Sequence, residues 1–178
     1  MLTEQKNPNT LNIDQLSTAE IAGRIHAEDR TVLDARVPWL RSPVLAPGEL
    51  ERYERPESAG ESGTLFEHCI RAIERSLTVG AHGLPLIGSG DWNDGMNLVG
   101  AHGQGESVWL GFFLYDVLRR FSVLAEQRGD VGFAAECTRE AVQLRDNLEA
   151  HGWDGAWYRR AYFDSGEPLG SAQNEECR

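Results

Sequence analysis

The chain has 178 residues, 40% hydrophobic and 25% charged, which fits one soluble globular domain with a real core and excludes a disordered chain. Seventeen basic against 28 acidic residues leave a formal net charge of −11. That argues against nucleic acid as a partner, because phosphate backbones need basic patches, but it leaves room for a small anion held by a few arginines.

Cys69, Cys137 and Cys177 are odd in number, far apart and in no CxxC pattern. They fit neither a disulfide framework nor a zinc site, and a reducing cytoplasm is the default location. No apolar run approaches the ~20 residues of a membrane span, and the polar start lacks the apolar stretch of a signal peptide.

Residues 1 to about 16 are polar and expected to fray. Ser17 and Glu20 in "STAE" have capping-box spacing, so a short helix is expected there. Pro38, Pro43, Pro47 and Pro56 then rule out a continuous helix and predict a long loop. Thr64 and Glu67 repeat the capping-box spacing, and Leu65, Cys69, Ile70, Ile73 and Leu77 recur at helical intervals behind them. The glycine-rich stretch from Gly80 to Gly105 shows no alternation and reads as loop.

Val108, Trp109, Leu110, Phe112, Phe113 and Leu114 surround the axis of the next helix, which predicts burial on all sides. Gly129 is its expected stop and Asp130 the cap of a following helix from Val131 to about Ala150, with Phe133, Cys137, Ala141, Leu144 and Leu148 on one side. "WDGAWYRRAYFDSGEPLGS" is aromatic with turn signals at each end and reads as a short hairpin. The sum is four or five helices joined by long loops, all-α apart from that hairpin. No solenoid repeat is visible, so a helical barrel or bundle with functional loops fits best.

"GLPLIGSGDWNDGMN", Gly83 to Asn97, concentrates polar chemistry. A calcium loop is out of register: counting from Asp91, the glycine falls one place early, at Gly95, and His102 stands where glutamate belongs. A plain Asn/Asp/Gly turn is the bland alternative. Against it stands Trp92, a large residue placed between two acids. Carbohydrate sites use an aromatic face for the ring and carboxylates and amides for hydroxyls. An aspartate beside an indole is also a candidate general acid, because desolvation raises its pKa.

That loop, followed by "GESVWLGFFLYDVL", resembles the signature of the inverting glycoside phosphorylases of the cellobiose phosphorylase family. "LDARVPWLRSPVLAPGELERYERP", "LFEHCIRAIERSLT" and "DGAWYRRAYFDSGEPLGSAQNEECR" are similar to the phosphorylase-like domain of cyclic β-1,2-glucan synthases and to β-1,2-oligoglucan phosphorylases. The resemblance implies an (α/α)6 barrel whose catalytic aspartate closes the Trp-Asn-Asp triplet. Here that is Asp94, with Trp92 lining the sugar subsite. Phosphate attacks the anomeric carbon directly, so Asp94 as proton donor suffices, whereas an inverting hydrolase needs a second carboxylate to activate water.

Asp91 and Asn93 join Trp92 as candidate substrate-binding residues, with loop bracing an equal reading for Asp91 and the favoured one for Asn93. Asn97 and Ser89 are expected to brace. Glu106 is expected to complement a helix dipole. His68 is expected to be structural, His82 and His102 to flank the loop as supporting residues, and Arg159 and Arg160 to serve either as phosphate or sugar contacts or as surface charge. No cofactor and no metal are implied; inorganic phosphate is the co-substrate of the complete domain. The implied partner is a β-linked glucan or glucooligosaccharide. The location is cytoplasmic, although the full-length synthases are associated with the inner membrane.

The similarity runs from about residue 31 to the end, so the expected plan is a divergent, partly disordered segment 1–30 and a partial catalytic domain 31–178. The family's phosphate-binding arginines, histidine and threonine find no positions here. The chain is therefore expected to be a fragment, inactive in isolation, that self-associates through exposed barrel helices. An inverting hydrolase on a similar barrel and a non-catalytic carbohydrate-binding remnant are the alternatives.

Overall fold

The computed structural model describes residues 30–44, 46, 49 and 52–174. The helix expected at Ser17, the 1–29 segment and Cys177 lie outside the described residues. The chain divides into two compact units, Met1–Ala72 and Ile73–Arg178.

In the first unit, a 3₁₀ turn at Arg30–Asp34 leads into β1 (Arg36–Arg41), which pairs antiparallel with β2 (Glu57–Thr64). This corrects the expectation of an unbroken loop through Pro38. A two-stranded sheet is all edge, so a proline is tolerated, and the register shifts between Pro38 and Leu40. Next comes α1 (Leu65–Ser76), opened by the predicted capping box and belonging to this unit up to Ala72. The Thr64 amide donates to Glu67 Oε2 at 2.6 Å, and the Glu67 amide donates to Thr64 Oγ1 at 3.1 Å. Val32, Leu33, Ala35 and Phe66 are buried. His68 is structural: Nε2 lies 3.1 Å from the Val37 carbonyl oxygen, and its ring stacks on Trp39.

The second unit is built on a helical hairpin, α2 (Val108–Gln127) and α3 (Val131–Asn147). Val108, Gly111, Leu114, Leu118, Phe121 and Ala125 face Phe133, Ala134, Cys137, Ala141 and Leu144, with Phe121 edge-on to Phe133. Gly129 stops α2 at φ +83°, where a side chain would be strained, and Asp130 caps α3 by accepting from the Phe133 amide. Both roles are those expected. Helix α3 passes into a π turn, Leu148–Gly152.

Only one face of α2 is buried. Trp109, Phe112, Phe113 and Val123 are exposed, which corrects the expectation of a helix covered all round. An apolar circumference requires partners on every side, and among the described residues α3 supplies most of the cover. The expected C-terminal hairpin is β4 (Ala161–Tyr162) and β5 (Pro168–Leu169), and β3 (Glu106–Ser107) joins it as a third antiparallel strand. The described residues are thus helix-rich with two small sheets, not all-α. No helix among them is long and apolar enough to cross a membrane.

Candidate active site

The loop from Gly83 to Asn97 is held by its own chemistry at both ends. At its start, the Leu86 amide donates to Thr78 and the Ile87 amide to Gly105. Ile87 and Val99 are buried with Ala161. At its far end, Asn93 Oδ1 accepts from the Gly95 amide and caps the 3₁₀ turn Asp94–Met96. Asp94 opens that turn; its side chain lies outside the described residues.

Asp91 is the fixed point between them. Its Oδ1 accepts from Arg160 Nη2 at 2.6 Å and from the Asn93 amide at 3.0 Å, and its Oδ2 accepts from Ser107 Oγ at 2.7 Å. The carboxylate is fully covered. Burial opposes its charge, but Arg160, the Asn93 amide and Ser107 outweigh that and hold the carboxyl below the usual aspartate value. Asp91 is therefore an ionised brace. Its oxygens are occupied, and it stands ready to donate no proton at neutral pH.

Ser107 does two jobs. It donates to Asp91 and, as the N-cap of α2, accepts from the Leu110 amide at 3.0 Å. The brace therefore ties the loop to the start of α2 and brings Trp92 to Trp109, with ring centroids 6.5 Å apart and planes 24° from parallel. Trp92 is 82% exposed.

Glu106 does not complement the α2 dipole as expected. It lies buried in β3 and accepts from the His82 and Leu84 amides at 3.0 Å, with His82 Nδ1 2.5 Å away. Only glycine fits beneath it: a Cβ on Gly80 would stand 2.5 Å from Glu106 Cγ. His82 also stacks on Tyr162, at 3.8 Å between ring centroids.

Arg159 and Arg160 have separate roles. Arg160 belongs to the Asp91 brace, whereas Arg159 donates to the His151 and Trp153 carbonyls. His102 enters through its amide, which donates to Asp164; the Gln104 and Gly105 amides converge on the same carboxylate. A cleft of about 340 Å³ lies against Gly80, His82, Gln104, Glu106 and Asp164, but both of its carboxylates are engaged. No cluster of three or more His, Cys, Asp or Glu suited to a metal occurs among the described residues.

Residues 5–178 match the model of the glycosyl hydrolase 94 superfamily catalytic domain. The chain belongs to that superfamily. The match starts earlier than the motifs recognised from residue 31 onward. Among relatives, the chain is 47% identical to the cyclic β-(1,2)-glucan synthase NdvB of Rhizobium meliloti (strain 1021) over 151 residues, 84% of this chain and 5% of that protein. It is 43% identical to solabiose phosphorylase of Paenibacillus borealis over 65% of this chain and 15% of the enzyme. It is 31% identical to N,N′-diacetylchitobiose phosphorylase of Vibrio proteolyticus over 80% and 18%, respectively. The chain thus spans less than a fifth of each of these relatives.

Sequence reasoning missed the Asp91–Arg160–Ser107 brace. Ser107 carried a signal, since serine before an apolar run is a helix cap. Arg160 carried none: its partner lies 69 residues away.

Proposed function

We propose that this chain carries the acid-bearing segment of an inverting phosphorylase domain of the (α/α)6 barrel type, acting on β-linked glucan of the β-1,2 class. Asp94 is the proton donor and Trp92 the sugar platform. In the reaction, a phosphate oxygen forms the new bond to the anomeric carbon as the glycosidic C–O bond breaks. Asp94 gives its proton to the departing oxygen, and the single displacement inverts configuration.

The observation that carries this reading is the commitment of Asp91. With its charge fixed and its oxygens occupied, the loop's one remaining aspartate is Asp94, next in line to an open indole. The same commitment weighs against hydrolysis. An inverting hydrolase needs a second carboxylate roughly 6.5–9.5 Å across the sugar to activate water. The local candidates, Asp91 and Glu106, are both buried and bonded. Phosphate, already anionic, needs no such base.

Taken alone, these 178 residues hold the proposed acid but no position for the phosphate-binding residues that the family resemblance implies, and we propose that in isolation they release no glucose 1-phosphate. Incubation with β-1,2-glucooligosaccharides and phosphate tests this, and release of glucose 1-phosphate above background would contradict it. Spliced in place of the matching segment of a complete phosphorylase relative, these residues should support phosphate-dependent cleavage that Asp94→Asn removes. Cleavage at the same rate without phosphate would sink the phosphorolytic reading in favour of hydrolysis.

A further inference from the structure

We propose that the Asp94–Gly95 bond is a latent site of isoaspartate formation and that Asn93 holds it closed. The proposal concerns the chemistry of the backbone and stands whether or not Asp94 is the proton donor. The chain has two Asp-Gly bonds, Asp94–Gly95 and Asp154–Gly155. Glycine carries no Cβ to shield its amide nitrogen, so these bonds are the most open to attack by that nitrogen on the preceding side chain.

In that step the nitrogen gives up its proton and bonds to the aspartate Cγ, and water leaves. The five-membered imide then takes water back. Hydrolysis of the new Cγ–N bond restores aspartate. Hydrolysis at the main-chain carbonyl instead routes the backbone through Cγ and leaves the carboxyl on Cα. The mass is unchanged and no oxidant is needed. At Asp94 this would add one carbon to the loop's backbone and move the acid.

Gly95 and Gly155 are both exposed, and the fold disarms the two bonds at opposite partners. At Asp154–Gly155 it disarms the group attacked. Asp154 Oδ1 accepts from the Ala156 and Trp157 amides, and Oδ2 from the Ala172 amide and Ser171 Oγ. These donors, the Ala172 amide foremost, bring the carboxyl down to about 2 and keep it ionised, a poor target for a nucleophile. At Asp94–Gly95 the fold disarms the attacking nitrogen. The Gly95 amide donates to Asn93 Oδ1 at 3.0 Å, inside the 3₁₀ turn Asp94–Met96. The Met96 amide closes that turn on the Asn93 carbonyl at 3.1 Å. The nitrogen must break its bond to Asn93 before it can lose its proton, and the turn fixes the torsions that ring closure has to change. Asn93 is itself exposed, and its side chain makes this one hydrogen bond among the described residues. Packing does not explain an asparagine there; the cap does.

The test is ageing of the full 178-residue chain in neutral buffer, folded and in urea, followed by peptide mapping that separates isoaspartyl from aspartyl peptides at both bonds. Asn93→Ala and Asn93→Ser are aged beside the unmodified protein. In urea both bonds should isomerise; in the folded chain both should be slow. Asn93→Ala should raise the rate at Asp94 roughly two- to tenfold, the factor carried by one net hydrogen bond, and leave Asp154 at its folded rate. Asn93→Ser keeps a capping oxygen and should stay near the unmodified protein. Protection at Asp154 reports in the same sample that the variant is folded. The proposal is overturned if Asn93→Ala isomerises at Asp94 no faster than the unmodified protein. It is also overturned if the folded, unmodified chain isomerises there as fast as in urea. A rise at both bonds together would overturn it too, because general loosening rather than loss of the cap would then set the rate.

Discussion

Arg160 Nη2 donates to Asp91 Oδ1 at 2.6 Å across 69 residues of sequence, and this contact commits Asp91 to bracing the loop, leaving Asp94 as the acid proposed to donate the proton. Breaking it should loosen the loop without touching the α2–α3 core. Asp91→Ala strands the Arg160 guanidinium and the Ser107 hydroxyl. It is expected to cost about 1–3 kcal/mol, the range for a partner lost from a bonded polar group. Urea unfolding followed by tryptophan fluorescence checks the value, and an unchanged midpoint would show that the brace stabilises nothing.

Stability should fall in acid. Asp91 and Asp164 are both held below the ordinary aspartate value, burial opposing and their bonded partners prevailing. The Ala172 amide, followed by the Trp157 and Ala156 amides and Ser171, brings Asp154 down to about 2. A lowered carboxyl contributes stability that is fully present above its unfolded pKa, about 3.9, and is lost as pH falls toward the folded value. The urea midpoint of the second unit should therefore drop between about pH 4 and pH 2. Asp154→Asn should flatten part of that drop; an identical profile would count against the assignment.

Two glycines should respond in opposite senses to alanine. At Gly80 the new Cβ would press on Glu106, which cannot retreat because the His82 and Leu84 amides hold it. The expected cost is about 1–3 kcal/mol, as for overpacking. At Gly132, near the start of α3, a Cβ meets only Asp130 Oδ1, at 3.8 Å. There alanine should stabilise by up to about 1 kcal/mol through helix propensity. Chemical denaturation of the pair gives both signs in one experiment.

The helical hairpin offers a control remote from the loop. Leu118 is completely buried, and Leu118→Ala should cost about 2–5 kcal/mol. If the resulting protein still folds, glucan binding per folded molecule should be unchanged, because Leu118 belongs to the α2–α3 interface and not to the brace.

The parts of the fold governed by neighbours in sequence were readable from it. The Thr64–Glu67 box, the Gly129 stop, the Asp130 cap and the apolar side of α3 each depend on residues within four positions. The β1–β2 pair was not readable, because β2 reads "ESAGESGT", almost free of strand formers, and its pairing is non-local. The exposed aromatic face of α2 was not readable either: periodicity reports that a face is apolar, not what covers it. In the loop, Trp92 and Asp94 are singled out by chemistry and by resemblance and remain proposals, whereas the dipole role expected of Glu106 gives way to its bonds with the His82 and Leu84 amides. Its partners lie 22 and 24 residues back, in a glycine-rich stretch that looked unstructured.

The division of labour between the two loop acids is best tested by a carbon-13 NMR pH titration of the Asp91 and Asp94 carboxyls in the intact chain. Asp91, ionised by Arg160 and Ser107, should titrate below the ordinary aspartate range and below Asp94, which must keep its proton longer to act as a donor. The reverse order, with Asp94 losing its proton first, would contradict the account.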